Sequence, residues 1–509
     1  TFRALAHQLA MPSLLLPLLL LPLLSQSVVA FRVPAAHPPS RPALRHTRLA
    51  AAATILPGDG DALTERGPEE STAPCTVTTT INLSKNIMCG GFLSLPAGVA
   101  YCSVAPTART LIPASIAMVS IGALSAYCFA LIGRTCALEN QSTYHGAWTS
   151  TAPDGSLSGS LVKGSLLAKT GVTCLSYSMI LADMVSQLSG AGRAISLLRV
   201  TSLGILPLCM LDTTKTLGAL KYTSFLGLAA TVYIISFMGL RWLGGAYAAG
   251  GHFYAQLPPH LAPSFAAAAA PGLGLSMGAL VLLSMLATAF MAHYNAPAFM
   301  RDATGASVET QSDGSTSLSP VGREGMRRFG KVVTASFLLA WASFALVATF
   351  GFLTFGAASA GNILTNYARN DLFARGARVA LALSLLAGYP LAFTSLRDSA
   401  LEMCGGEQAA LSARRMSLTL LAAITAAASW LTDLGFVSAF AGALLGSAVI
   451  YLYPSIMFRR ALRRQVGDGS VIKQRRLRLE LVVSYMISFL GVAFMICGGG
   501  VTLFSKLGH

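Results

Sequence analysis

An all-α polytopic membrane protein of about eleven transmembrane helices, the first and sixth of them broken, is the fold class this sequence predicts. Three observations carry that expectation. Of the 509 residues, 54% are hydrophobic and only 11% charged, whereas a soluble chain needs roughly 25% charged residues to cover its surface. The apolar residues gather into runs of about 20, the length that crosses a hydrocarbon core. The first run, from Ile81 to Tyr101, carries Lys85, adjacent glycines at 90 and 91 and a proline at 96. A spanning helix tolerates that combination only where its backbone is meant to open.

Thr1 is not an initiator, so the sequence is expected to be a fragment or an incomplete gene model. Leu14 to Leu24 is apolar but too short to span, and it ends in Ser27-Val28-Val29-Ala30, which reads as a signal-peptide cleavage site, giving a signal segment over 1–30. Residues 31–54 contain Arg41, Arg45, Arg48, His37 and His46 and no acid, the composition of a transit peptide. Such two-part presequences are similar to those of algae whose plastids lie inside extra membranes. The plainer alternative is a signal peptide followed by a disordered basic tail. Residues 55–80, with Asp59, Asp61, Glu65, Glu69 and Glu70 among Gly and Pro, are expected to be a disordered linker.

From there to residue 505 the chain is expected to form one transmembrane domain. Its spans are Ile81 to Tyr101, Leu111 to Gly133, Gly164 to Leu188, Ala194 to Met210, Leu217 to Gly239, Gly272 to Tyr294, Val332 to Phe355, Ala374 to Leu396, Met416 to Leu431, Leu434 to Tyr453 and Leu479 to Phe504. The formal net charge of +16 is explained by topology. Arg134, Lys163, Lys215, Lys221, Arg301 and the clusters over 323–331 and 459–478 fall in alternate loops, and the loops between hold far fewer cations, such as Arg109, Arg193 and Arg241. The positive-inside rule then fits an odd number of spans with the N-terminus inside. The cluster over 459–478 reads as a topology anchor, with contact to anionic lipid as the sharper alternative. No aromatic-studded basic domain exists, so nucleic acid is not an expected partner. The nine cysteines are scattered without a Cys-x-x-Cys pair or His at ligand spacing, so neither a metal site nor a disulfide framework is expected. No paired carboxylates or His clusters within the spans point to an enzyme.

Several polar residues interrupt the apolar runs. The third span carries Ser176, Tyr177 and Ser178, and Asp183 deep enough to be either functional or paired. Arg199 in the fourth span is either functional or a snorkelling side chain. The sixth run closes with Thr288-Ala289-Phe290 and then His293-Tyr294-Asn295-Ala296-Pro297, which reads as a second interrupted helix. His293, Tyr294 and Asn295 mark the break or a gate, although a histidine at a membrane boundary also serves as an interfacial residue. Residues 302–325 are expected to be a mobile polar loop, and the loop from Arg241 to Pro271 suggests no chemistry.

The chemistry of a broken helix suits a zwitterion. The free amides that start the second half favour a carboxylate, and the free carbonyls that close the first half favour an ammonium or a cation. Gly90 and Gly91 let the backbone approach such a ligand; close helix packing through small residues is the alternative reading.

With those residues in hand, the chain resembles the amino acid/auxin permease family, which has the inverted-repeat leucine-transporter fold. The resemblance rests on Asn82-Leu83-Ser84, Gly91-Phe92-Leu93-Ser94-Leu95-Pro96, the run from His293 to Pro297, Phe352-Leu353-Thr354-Phe355-Gly356 with Asn362-Ile363-Leu364-Thr365-Asn366-Tyr367, Tyr389-Pro390 with Arg397, and Asp433-Leu434-Gly435 with Pro454. These fall in family order between Ile81 and Phe504. The resemblance implies two inverted five-helix halves plus an extra helix, and a substrate held at Cys89, Gly90, Gly91, Phe92, Leu93 and Ser94, at Thr288, Ala289 and Phe290, and beside Ser176 and Tyr177.

Sodium-coupled members of that family hold the ion with an Asn of the first span and a Thr just before the eighth-span proline. Here those places read Lys85, followed by Asn86, and Leu386-Ala387-Gly388. Proton-coupled members likewise carry Lys at the first place. An ammonium there supplies the missing charge, so Lys85, Asn86 and Gly388 are the expected ion-coupling positions and the coupling ion is expected to be H+; a lysine snorkelling at the helix start is the alternative. The resemblance thus implies a secondary active carrier of neutral amino acids, proton-coupled or an exchanger, in an integral, multi-pass setting. The presequence composition, outside the resemblance, points to a plastid membrane of an alga, with an endomembrane or the plasma membrane as the alternative. The carrier needs no cofactor, and protein partners are not legible. A sodium-coupled symporter and a membrane amino-acid sensor are the competing readings.

Overall fold

A computed structural model of the chain describes residues 76–88, 90–152, 158–210, 217–267, 276–310, 316–403, 410–466 and 475–507. The expected signal segment, transit peptide and residues 55–75 of the linker lie outside the described residues, as does Cys89.

The first span is split. Helix α1 (Thr76–Ile87) begins five residues before the expected start, so residues 76–80 are helical rather than part of a linker. Three consecutive threonines at 78–80 make that start hard to see, because β-branched residues lower helix propensity. Hydroxyls bond back along the helix, Thr80 Oγ1 donating to Thr76 O at 2.7 Å and Ser84 Oγ to Thr80 O at 2.7 Å. After Met88 the chain turns at Gly90, whose φ of 73° only glycine adopts cheaply. A single 3-10 turn, Gly91–Ser94, leads into α2 (Leu95–Tyr101), which has Pro96 in its first turn.

The next elements are α3 (Leu111–Glu139), a short α4 (Tyr144–Thr151), α5 (Ser158–Ser189), α6 (Arg193–Met210) and α7 (Leu217–Gly244). The second broken span follows. Helix α8 (Gly278–Ala289) stops at Phe290, a 3-10 turn covers His293–Asn295, and α9 (Ala296–Thr304) resumes with Pro297 in its first turn. Residues 302–325, expected as a mobile loop, instead contain the end of α9, the start of the next helix and a two-stranded antiparallel hairpin, Val308–Thr310 against Thr316–Leu318. Its strands are three residues each, too short to leave a readable alternation, and Leu318 N ties it to Asn140 O at 2.9 Å.

The chain continues as α10 (Arg323–Phe355), α11 (Leu372–Met403), α12 (Ala410–Trp430), α13 (Leu434–Arg464) and α14 (Leu477–Phe504). Among the described residues, nine helices are long and apolar enough to cross a membrane, with Gly91–Tyr101 a shorter apolar one. The protein is therefore an all-α, integral, multi-pass membrane protein. The outer helices keep lipid-facing apolar side chains, Phe489 at 77% and Phe504 at 82% exposed on α14, while one large apolar cluster fills the centre around both breaks.

Two charged groups doubtful in the sequence now have places. Asp183 accepts from Arg193 Nε at 2.8 Å and from Asn362 Nδ2 at 3.1 Å, and Arg193 also donates to the carbonyl of Ala428 at 2.8 Å. Asp183 is thus a paired residue that joins α5, α6, the α10–α11 loop and the end of α12. Arg199 is exposed on α6. The loop after α7, which suggested no chemistry, holds a buried network of its own. Tyr247 donates to Asp371 Oδ2 at 2.9 Å, Arg241 grips both carboxylate oxygens at 2.6 and 2.9 Å, and Asp371 accepts from the amide of Phe373 at 3.0 Å at the start of α11. Burial and the Asp371 charge push the Tyr247 phenol well up from its ordinary value. Part of the basic cluster is structural too: Arg459 donates to Ser484 O at 3.0 Å and Ser488 Oγ at 2.7 Å, pinning α13 to α14.

Candidate functional site

The two breaks face each other. A Cβ placed on Gly91 would lie 3.4 Å from the Cα of Ala289, so the first opened helix rests directly on the end of α8. Backbone turns close both ends: Leu93 N donates to Gly90 O at 3.2 Å, and Met291 N to Thr288 O at 3.2 Å. Rings then seal the flank. Phe92 stacks on Phe344 at 6.1 Å between centroids, and Phe290 meets Phe344 at 5.0 Å. Gly122 on α3 allows that seal, since a Cβ there would lie 3.0 Å from the Phe290 ring.

Beside the first break lies a cavity of about 10 Å³, lined by Lys85, Met88, Gly90, Phe92, Tyr177, Gly227, Thr231, Leu381, Ser384, Leu385 and Gly388. That volume holds about one water molecule. Five of the expected residues, Lys85, Gly90, Phe92, Tyr177 and Gly388, come together here from α1, the break, α5 and α11. The fit around Lys85 is close. A Cβ on Gly227 of α7 would lie 2.9 Å from Lys85 Cγ, and one on Gly388 would lie 2.9 Å from Lys85 Nζ. Two bare stretches of backbone, on α7 and α11, thus make the slot in which the lysine is laid toward α11.

Other expected residues sit elsewhere. Leu93 and Ser94 are buried within the turn, with Ser94 Oγ donating to Gly91 O at 2.9 Å. Asn86 and Ser176 are half-buried and do not line the cavity. Thr288 Oγ1 donates to Ser438 O on α13 at 2.5 Å, Ala289 supports Gly91, and Phe290 fills the gap by Gly122. The second break therefore contributes packing to this cavity's neighbourhood rather than lining. His293 is fully buried, with Nε2 2.9 Å from Ser125 O and its ring between Phe129 and Phe337. It is a core residue of the break rather than an interfacial one. Asn295 N donates to Ala292 O at 3.0 Å, closing the 3-10 turn. Sequence reasoning missed Met88, Gly227, Thr231, Leu381, Ser384 and Leu385. Leu381, Ser384 and Leu385, at helical spacing before Gly388 on one face of α11, left a readable signal.

The site is thus a pair of helix breaks packed on one another inside a multi-pass α-helical membrane bundle, with a small cavity beside the first. The family model described as transmembrane amino acid transporter protein matches residues 321–502. The resemblance read from the sequence holds there, over α10 to α14. Of the cavity residues, Leu381, Ser384, Leu385 and Gly388 fall inside the match, and those from the first break, α5 and α7 precede it. No curated protein matches the chain. Among solved structures, the Eremococcus coleocola manganese transporter in complex with an aromatic bis-isothiourea substituted compound is 13% identical, with 83% of this chain and 93% of that chain covered and a TM-score of 0.44. The inward-facing conformation of Mhp1 is 13% identical, with 84% and 89% covered and a TM-score of 0.49.

Proposed function

We propose that the protein is a secondary active carrier of neutral amino acids, coupled to protons or working as an exchanger, that moves its substrate by alternating access about the two helix breaks. The observation that carries the reading is the Lys85 ammonium laid against the bare backbone of Gly388. An ammonium in that slot supplies the positive charge between the first and eighth spans that a sodium-coupled carrier would draw from the ion. The cavity lining supports a neutral substrate: beside Lys85, which takes the place of the coupling cation, the lining is apolar and hydroxyl side chains and bare glycine backbone.

Reconstituted protein tests this directly. Liposomes loaded to give either a pH gradient or a sodium gradient are supplied with labelled alanine and glutamine, and uptake is expected with the pH gradient or against internal amino acid. Equal uptake with sodium alone and no pH gradient would sink the proton-coupled version. Residence in a plastid membrane belongs to the same proposal, supported by the composition of residues 31–54. A fluorescent fusion of residues 1–54 labels the plastid if it holds, and the cell surface or vacuole if it does not.

A further inference from the structure

We propose that Lys169 is a second docking point for the substrate carboxylate, on the inner side of the cavity; the proposal rests on the carrier reading and adds a subsite to it. Lys169 lies eleven residues into the 32-residue helix α5, about 16 Å along its axis. It is only 7% exposed. A cation at that depth is costly, and an apolar side chain of similar volume would pack there without desolvating a charge.

Its surroundings describe a path. Ser165, Lys169, Thr173 and Tyr177 recur every four residues, so they form one polar stripe down α5. Tyr177 lines the cavity at the first break, two turns from Lys169 toward the opposite end of α5. Lys169 Nζ donates to Thr173 Oγ1 at 2.8 Å and sits 6.0 Å from the centroid of the Tyr294 ring, which belongs to the second break. One turn further, Ser165 Oγ bonds the Tyr453 hydroxyl of α13 at 2.9 Å. The stripe therefore leads from the cavity toward the end of α5 that the basic loops mark as inner, and two tyrosines cover it in this conformation. When Tyr294 and α13 move aside, the group exposed along the stripe is an ammonium already oriented by a hydroxyl. The carboxylate of an amino acid leaving the first break is the chemical group that complements it.

The test measures half-saturation from each face separately, in liposomes of known protein orientation, with labelled alanine and glutamine. In Lys169→Met the inner-face value is expected to rise by about tenfold or more, with the outer-face value changed by less than about twofold, and Lys169→Arg is expected to restore the inner face. Equal changes at both faces, no change, or no rescue by Arg would overturn the proposal while leaving the carrier reading intact. Should Lys169→Met fail to fold, Thr173→Ala keeps the charge and removes its orienting hydroxyl. An inner-face rise of about threefold is then expected, and an unchanged value overturns the proposal. Wild-type protein that moves neither amino acid from either face removes the carrier reading itself, and the subsite with it.

Discussion

Lys85 Nζ stands where a side chain on Gly388 would have to go: a Cβ built there lies 2.9 Å away. The lysine of the first span and the glycine of the eighth share one volume. Enlarging either displaces the other.

Gly388→Ala is therefore expected to slow uptake by about tenfold, equivalent to about 1.4 kcal/mol, with little loss of thermal stability, because the obstructed atom is the far end of a flexible side chain. Lys85→Met should slow uptake by at least as much. Gly227→Ala, which meets the stem of the same lysine and Ser384 Oγ, should also slow uptake, and the stability it costs should shrink in a Lys85→Ala background. Proteoliposome uptake and thermal unfolding of these variants, with Lys85→Ala alone as the reference for the double, check the coupling. Additive stability losses would show that the glycines act independently of the lysine.

A contrasting outcome is expected at Gly442 on α13. A Cβ there would overlap the backbone carbonyl of Ser284 and lie 2.6 Å from Thr288 Oγ1. The obstructing group is backbone and cannot turn away, so Gly442→Ala should cost about 3 kcal/mol or more. It should be read first as loss of the monodisperse protein on size-exclusion chromatography in detergent.

The Asp183–Arg193 pair at 2.8 Å should prove structural. Replacing Asp183 with Ala leaves a largely buried guanidinium with carbonyl partners alone, and on the order of 3 kcal/mol of stability is expected to go. The half-saturation for substrate in the surviving folded fraction should stay within about twofold of wild type. A large change in apparent affinity without a change in melting temperature would assign Asp183 to transport instead.

Alkaline pH should loosen the loops that carry Tyr247 and Tyr367. The Tyr247 phenol is held above its ordinary value of 10.0 by burial and by the Asp371 carboxylate, and Tyr367 is raised by burial. A phenol whose value is raised on folding contributes stability that is fully present below pH 10 and is lost as the pH climbs toward the folded-state value, since the unfolded chain gives up the proton first. Stability should fall with pH above about 10, and Tyr247→Phe should flatten that fall. The same substitution should cost about 1 to 3 kcal/mol at neutral pH, because Asp371 and the amide of Ala368 both lose the Tyr247 hydroxyl. Tyrosinate absorbance followed alongside helical content measures both effects.

Much of this was legible in the chain. Adjacent glycines at 90 and 91 and the run from His293 to Pro297 announced the two breaks, because few other functions explain those residues inside an apolar run. Lys85 and Gly388 were expected together and meet. What the sequence hid was rotation. Thr288 and Ser176 belong to the right helices, yet Thr288 Oγ1 turns to Ser438 O and Ser176 stays off the cavity. Apolar periodicity cannot fix such angles in a helix surrounded by lipid on one side and apolar protein on the other. Lys169 was passed over for a related reason: Tyr294, over which it lies, and Tyr453, which bonds Ser165 on the same stripe, are more than a hundred residues away. Gly227 became visible only once Lys85 was seen lying across it.

A cavity with room for about one water molecule has a consequence for how cargo comes and goes. In this conformation that space is smaller than any amino acid, so the helices around the first break have to part before a solute of that size can lodge there. Arrival and departure of the cargo are then each expected to carry the cost of repacking Lys85, Phe92 and Tyr177, whose side chains line the space.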